Sequence, residues 1–253
     1  MIHVQALPGT PKHRFSPADI IQKAVGEARI YAESGFDAIM IENMHDVPYP
    51  NRGSYPEITA MMTMIGQAVK AETNLPCGIQ ILAGANQDAL AVALAADLQF
   101  IRAEGFIFSH IADEGLMHGD AADLMRYRKA IGAEHIMVLT DIKKKHSSHQ
   151  ITADISLIET AKAAAFFLSD GIIVTGTSTG RATDPAEVRQ LKDAIDLPIL
   201  VGSGITADNV AEYVTQAHGL IVGSWLKEGG HWTGNLSPER AKRLVEIVRN
   251  IRQ

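Results

Sequence analysis

At 253 residues and 27.3 kDa the chain has the size of one large α/β domain, and 46% apolar residues suffice for a sizeable core. A formal charge of −6 argues against a nucleic-acid partner, whose electrostatic footprint is a basic patch. The single cysteine, Cys77, excludes an internal disulfide, and no apolar run reaches the ~18 residues that suggest a membrane span. Cys77 follows Pro76 at the start of an apolar run, where a buried and inert thiol is expected. Residues 1–11 lack the basic and apolar regions of a signal peptide, so a cytoplasmic setting is expected.

In chain order, short apolar runs alternate with helical patterns. Strands are predicted over Ile2–Leu7, Ala38–Glu42, Gly78–Leu82, Phe100–Arg102, Ile136–Asp141, Gly171–Thr175, Ile199–Val201 and Leu220–Val222. Most are almost wholly apolar, as in strands covered on both faces. The helices between them carry start signals. Ser16-Pro17 offers an N-cap with proline at the first helical position, and Ser237-Pro238-Glu239 repeats the device. Asp184-Pro185-Ala186-Glu187 adds a glutamate three residues on, a capping-box pattern. Leu244, Ile247, Val248 and Ile251 form an apolar stripe on the last helix. Eight strands alternating with eight helices predict a parallel sheet. A single-domain (β/α)8 TIM barrel over residues 1–253 is favoured over a doubly wound open sheet.

In such a barrel the chemistry gathers where strands run into helices. Strand seven enters Gly202-Ser203-Gly204-Ile205-Thr206, and strand eight enters Gly223-Ser224. Glycine admits close approach to a phosphate, and loop amides supply donors. One such loop is also just a tight turn, but two on the last strands are a common phosphate arrangement. Strand two ends in Glu42-Asn43-Met44-His45-Asp46, where Glu42 is either a general base or half of a structural ion pair. Arg102 either clamps an anionic group or partners Glu42 or Asp141.

Strand five runs out through Asp141-Ile142-Lys143-Lys144-Lys145-His146. If the extended conformation persists, Asp141, Lys143 and Lys145 share one face. An acid closing an apolar strand needs a partner or a role. Lys144 reads as part of a solvated basic loop. The histidines, including His45, His110, His118, His146 and His149, form no ligand spacing that suggests a metal. No cofactor is expected. Strand six ends in Thr175-Gly176-Thr177-Ser178-Thr179-Gly180-Arg181, a hydroxyl-rich loop that suits either a polar ligand or a lid.

Taken together the junctions resemble the BtpA family, also called the BtpA/SgcQ group, over nearly the whole chain. The resemblance rests on His3 to Leu7-Pro8-Gly9, Ile41-Glu42-Asn43, Arg102, Gly119-Asp120-Ala121-Ala122 and Arg126-Tyr127-Arg128. It continues through Asp141, Lys145-His146, Val174-Thr175-Gly176, Val201 to Thr206, and Ile221 to Lys227. The chain departs from the family pattern with Lys143 in place of a common histidine and Glu104 in place of a common asparagine. The resemblance implies a ribulose-phosphate-binding type of barrel. Its name comes from a cyanobacterial role in photosystem I accumulation, and other members lie beside sugar-utilisation genes.

The expectation is an enzyme for a small phosphorylated metabolite, working by proton transfer next to a carbonyl as isomerase, epimerase or aldolase-like lyase. Glu42 or Asp141 would be the base, with Lys145 stabilising negative charge. Arg102, Lys143, His146 and Thr175 would hold the substrate, and Gly202, Ser203, Gly204, Gly223 and Ser224 its phosphate. The alternative is a non-catalytic factor that supports assembly of a larger complex. A homo-oligomer is expected on the general prevalence of symmetric assemblies.

Overall fold

The computed structural model describes residues 1–176 and 182–252. It divides into two compact units, Met1–Arg102 with Arg126–Met137, and Ala103–Met125 with Val138–Gln253.

The first unit carries β1 (Ile2–His3), β2 (Ile39–Glu42), β3 (Cys77–Gln80) and β4 (Phe100–Ala103, whose last residue belongs to the second unit). Neighbours in that order pair in parallel, with Ile2 opposite Ile41, Ile41 opposite Ile79 and Ile79 opposite Ile101. One residue further along runs a second row, His3, Glu42 and Gln80. Because side chains alternate along a strand, the isoleucine row and the polar row lie on opposite faces. Helices α1 (Pro17–Ser34), α2 (Pro56–Glu72) and α3 (Asn86–Ala95) make the crossovers that parallel strands require. Ser16 caps α1 by accepting the Asp19 N–H, and Gly35 ends it in the left-handed region. Cys77 is fully buried, and burial pushes its thiol above the ordinary range, as an inert core residue requires.

The first strand stops at His3 rather than at Leu7. The Leu7 N–H leaves the sheet direction to donate to Asp46 Oδ1 at 2.8 Å, and Thr10 N–H closes a turn on the Leu7 carbonyl. A polar partner thus ends the strand where hydropathy would continue it.

The second unit begins with a hairpin, β5 (His110–Ala112) and β6 (Gly115–Met117), before α4 (Ala121–Ala130), whose residues from Arg126 on belong to the first unit. Next come β7 (Met137–Ile142), the short β8 (Ser147–Ser148), α5 (Leu157–Phe166), β9 (Gly171–Thr175) and α6 (Pro185–Ala194). The chain closes with β10 (Ile199–Gly202), α7 (Ala211–Val214), β11 (Gly219–Ile221) and α8 (Pro238–Arg252). Strands β7, β9, β10 and β11 pair in parallel in that order, with Asp141 opposite Ile173, Thr175 opposite Gly202 and Gly202 opposite Ile221. Asp184 caps α6 by accepting the Ala186 N–H, while the reciprocal capping box is found at Ser156 and Glu159, ahead of α5. On α8 the stripe buries Ala241, Leu244 and Val245, and Ile247, Val248 and Ile251 are half-buried.

Sequence patterning did not reveal the small antiparallel sheet β6-β5-β8. Its strands are two or three residues long, too short for a period to register, and Ile111 and Leu116 on it stay exposed. Apart from these three, eight parallel strands and eight α-helices alternate among the described residues. No helix among the described residues is long and apolar enough to cross a membrane.

Candidate functional site

In the first unit the polar residues at the end of β2 divide into two groups. Asn43 and Asp46 are structural. The Asn43 side chain accepts the Leu82 N–H and donates to Asp46 Oδ2, both at 2.8 Å, and Asp46 takes the Leu7 N–H as well. These bonds tie together the segments that follow β1, β2 and β3. Burial raises the Asp46 carboxyl above its usual range, and the bonds from Leu7 and Asn43 pull it back only in part. Glu42 belongs to the other group. It is 8% exposed, and its Oε2 lies 4.0 Å from His3 Nε2. A histidine is a neighbour that the sequence reading had not offered for Glu42. Gln80 stands opposite it on β3 at 1% exposure. Arg102, on β4, is buried as well.

In the second unit the densest chemistry follows β7. Asp141 is 5% exposed and lines a cleft with Lys143, Lys144, His110 and His149. The extended run ends at Ile142, and Lys143 takes a positive φ of 45°. The three residues Asp141, Lys143 and Lys145 therefore do not continue on one face. Lys143 Nζ donates to the Thr152 carbonyl at 3.3 Å, while Lys145 points elsewhere. Lys144 is not solvated. Its Nζ lies 3.3 Å from Glu104 Oε1, and both side chains are less than a tenth exposed. A lysine in a run of three reads as surface until a distant glutamate is placed beside it, and no local signal announces that pairing.

The Lys145 N–H donates to Thr175 Oγ1 at 3.1 Å, and its Nζ donates to Ser203 Oγ at 2.8 Å. Three of the expected residues, on three different strand ends, are thereby linked through one lysine. Ser203 and Gly204 both lie in the left-handed region, with φ of 70° and 68°. Such a conformation costs a non-glycine residue energy and gathers at functional loops. Asn209 stabilises this turn by donating to the Gly204 carbonyl and accepting the Thr206 N–H. After β11, Gly223 leads into a single 3-10 turn, Ser224–Leu226. Ser203, Gly204, Gly223 and Ser224 are all partly exposed, and none of their amides donates to a described residue.

His146 is exposed at a φ of 54°. His149 is half-buried, its Nε2 bonded to the Lys144 carbonyl at 3.0 Å and its ring 5.3 Å from that of His110. Burial, helped by the charges of Lys143 and Lys144, holds His149 below the ordinary histidine range despite that bond. Among the described residues no group of three His, Cys, Asp or Glu is placed to hold a metal ion. The hydroxyl-rich loop after Thr175-Gly176 lies outside the described residues from Thr177 to Arg181.

A model of the BtpA family matches residues 1–250. An uncharacterized mitochondrial protein of Caenorhabditis elegans is 46% identical over all of this chain and 93% of its own length. The photosystem I biogenesis protein BtpA of Synechocystis is 29% identical over 98% of this chain and 86% of its own. Among solved structures, thiamine phosphate pyrophosphorylase from Pyrococcus furiosus has a TM-score of 0.61 at 16% identity and 90% coverage of both chains. (S)-3-O-geranylgeranylglyceryl phosphate synthase from Thermoplasma acidophilum, solved with its substrate sn-glycerol-1-phosphate, also scores 0.61, at 17% identity, 92% of this chain and 90% of that one. At such identities the likeness shows the fold, a (β/α)8 TIM barrel.

Proposed function

The chain belongs to the BtpA family, and from that premise we propose that it is an enzyme acting on a small phosphorylated carbonyl compound by proton transfer at the carbon next to the carbonyl. The observation that carries the reading is the Lys145 Nζ bond to Ser203 Oγ, which brings a cation to a glycine loop with undonated amides. Backbone donors and a lysine are the usual elements of a phosphate site. The two solved neighbours named above both handle phosphate compounds according to their names, which supports the same reading.

In this proposal the phosphate rests on Gly202, Ser203, Gly204, Gly223 and Ser224 with Lys145 beside it. Asp141, at the closed end of β7, takes the proton. The cations in its cleft are Lys143 and Lys144, and they would stabilise the negative charge that develops on the carbonyl oxygen. Glu104 fixes Lys144 in place. A carboxylate, ammonium groups and a phosphate cradle fit isomerase, epimerase and lyase chemistry alike.

Titration calorimetry with inorganic phosphate tests the cradle. The wild type should bind, and Gly204→Asp should not, because the new carboxylate repels the anion. Aspartate is the choice because it tolerates the left-handed conformation better than most residues. Equal affinity in both proteins would remove the phosphate site. The Synechocystis relative's name supports a second reading, a factor for assembling a larger complex. Partner co-purification without turnover of any sugar phosphate would favour that reading.

A further inference from the structure

We propose that the row His3, Glu42 and Gln80 in the first unit is a binding site for a neutral polyol group, with Gln80 as the residue that reads its hydroxyls. The three residues are cross-strand partners in register at the ends of β1, β2 and β3, so their side chains share one face. His3 Nε2 and Glu42 Oε2 lie 4.0 Å apart. Gln80 differs from both. It is 1% exposed, and neither its Nε2 nor its Oε1 has a hydrogen-bond partner among the described residues. A buried carboxamide without partners is a net cost to the fold, and a leucine of similar size would remove that cost.

The row beneath supplies a floor. Gly78 lies two residues before Gln80 on the same face, and a Cβ there would stand 2.1 Å from the ring of Phe100. The absence of a Cβ at Gly78 therefore leaves room for the Phe100 ring against β3, two residues before Gln80 on the same face. An apolar floor under a few polar groups is the usual composition of a small-molecule site.

The groups select their ligand. A carboxamide offers two donors and an acceptor, which matches a hydroxyl that both accepts and donates. A phosphate or carboxylate would only accept, and Glu42 beside it would repel that charge. A hydroxylated neutral chain beside Glu42 and His3 satisfies the Gln80 carboxamide. Glutamine has three side-chain torsions, so its amide can swing toward Glu42, the most exposed member of the row.

Every residue of this site lies in the first unit, and none of them belongs to the phosphate cradle. The test uses ribitol as the probe and 1,5-pentanediol, which lacks the inner hydroxyls, as the control. Titration of the wild type with ribitol should shift the Gln80 side-chain amide resonances in an 15N–1H spectrum, and pentanediol should leave them in place. Gln80→Leu should weaken ribitol binding about tenfold or more while the ligand-free protein melts no earlier than the wild type. Gly204→Asp should bind ribitol normally, so loss of the phosphate reading and loss of this one are distinguishable. Unmoved Gln80 resonances in the wild type, or a Leu variant that melts early yet binds ribitol as before, would overturn the proposal. If the Leu variant fails to fold, the wild-type titration alone still decides it.

Discussion

The polar ends of the two units are built on opposite principles. In the first, β1, β2 and β3 present one acidic, one imidazole and one neutral amide side chain in strict register, each supplied by its own strand. In the second, one segment after β7 supplies three lysines, and distant residues sort them: Glu104 takes Lys144, Thr152 takes Lys143 and Ser203 takes Lys145. Alternation along a strand suffices to place the first set. The second depends on left-handed residues at Lys143 and His146, which break the alternation along that segment. Register thus sets the first arrangement, and broken register sets the second.

Substitutions can break that contrast, and the largest effect is expected at Asp141. Asp141→Asn keeps shape and hydrogen-bonding capacity but removes the proton acceptor, so turnover should fall by about 10²–10⁴-fold. A normal rate per folded molecule would make Asp141 structural. The Glu104–Lys144 pair comes next. Lys144→Met leaves a buried carboxylate without its cation and should cost roughly 3–5 kcal/mol in denaturant unfolding. Adding Glu104→Gln should recover most of that loss, and a double mutant as unstable as the single one would show that the pair is not a unit.

In the first unit the sharpest structural test is Gly78→Ala. The added methyl meets the Phe100 ring, so a loss of about 1–3 kcal/mol is expected. Unchanged stability would show that the ring moves freely and provides no floor. The smallest effect concerns pH. His149 binds its proton more weakly in the folded chain than in the unfolded one. Between the two values the unfolded chain holds more protons, so stability should decline as pH falls through ~6.5, the ordinary histidine value. His149→Gln, which keeps a donor for the Lys144 carbonyl, should flatten that slope in melts from pH 7.5 to 5.5, whereas an unaltered slope would assign it to other groups.

The fold was legible in the sequence because its signal is repeated. Each of the eight predicted strands overlaps an observed one, and proline next to a capping residue marks α1, α6 and α8. Its errors have two causes. β1 ends early because Asp46, far along the chain, captures the Leu7 N–H, and the β6-β5-β8 sheet is too short to show a period. For the candidate site residues, position was legible at the strand ends, with Glu42 closing β2 and Thr175 closing β9 as expected. It was not legible where partners come from elsewhere. Lys144 looks solvated without Glu104, His3 is not expected beside Glu42, and Gln80 is an ordinary polar residue until its burial is known.

Proton exchange tests the proposed chemistry most directly. Dihydroxyacetone phosphate and ribulose 5-phosphate, incubated with the protein in D2O and followed by 1H NMR, report abstraction next to a carbonyl whatever product forms. The wild type should exchange that proton in at least one such phosphorylated ketose, and Asp141→Asn should slow the exchange about 10²–10⁴-fold. A wild-type protein that binds phosphate but exchanges no proton in any of them would contradict the account.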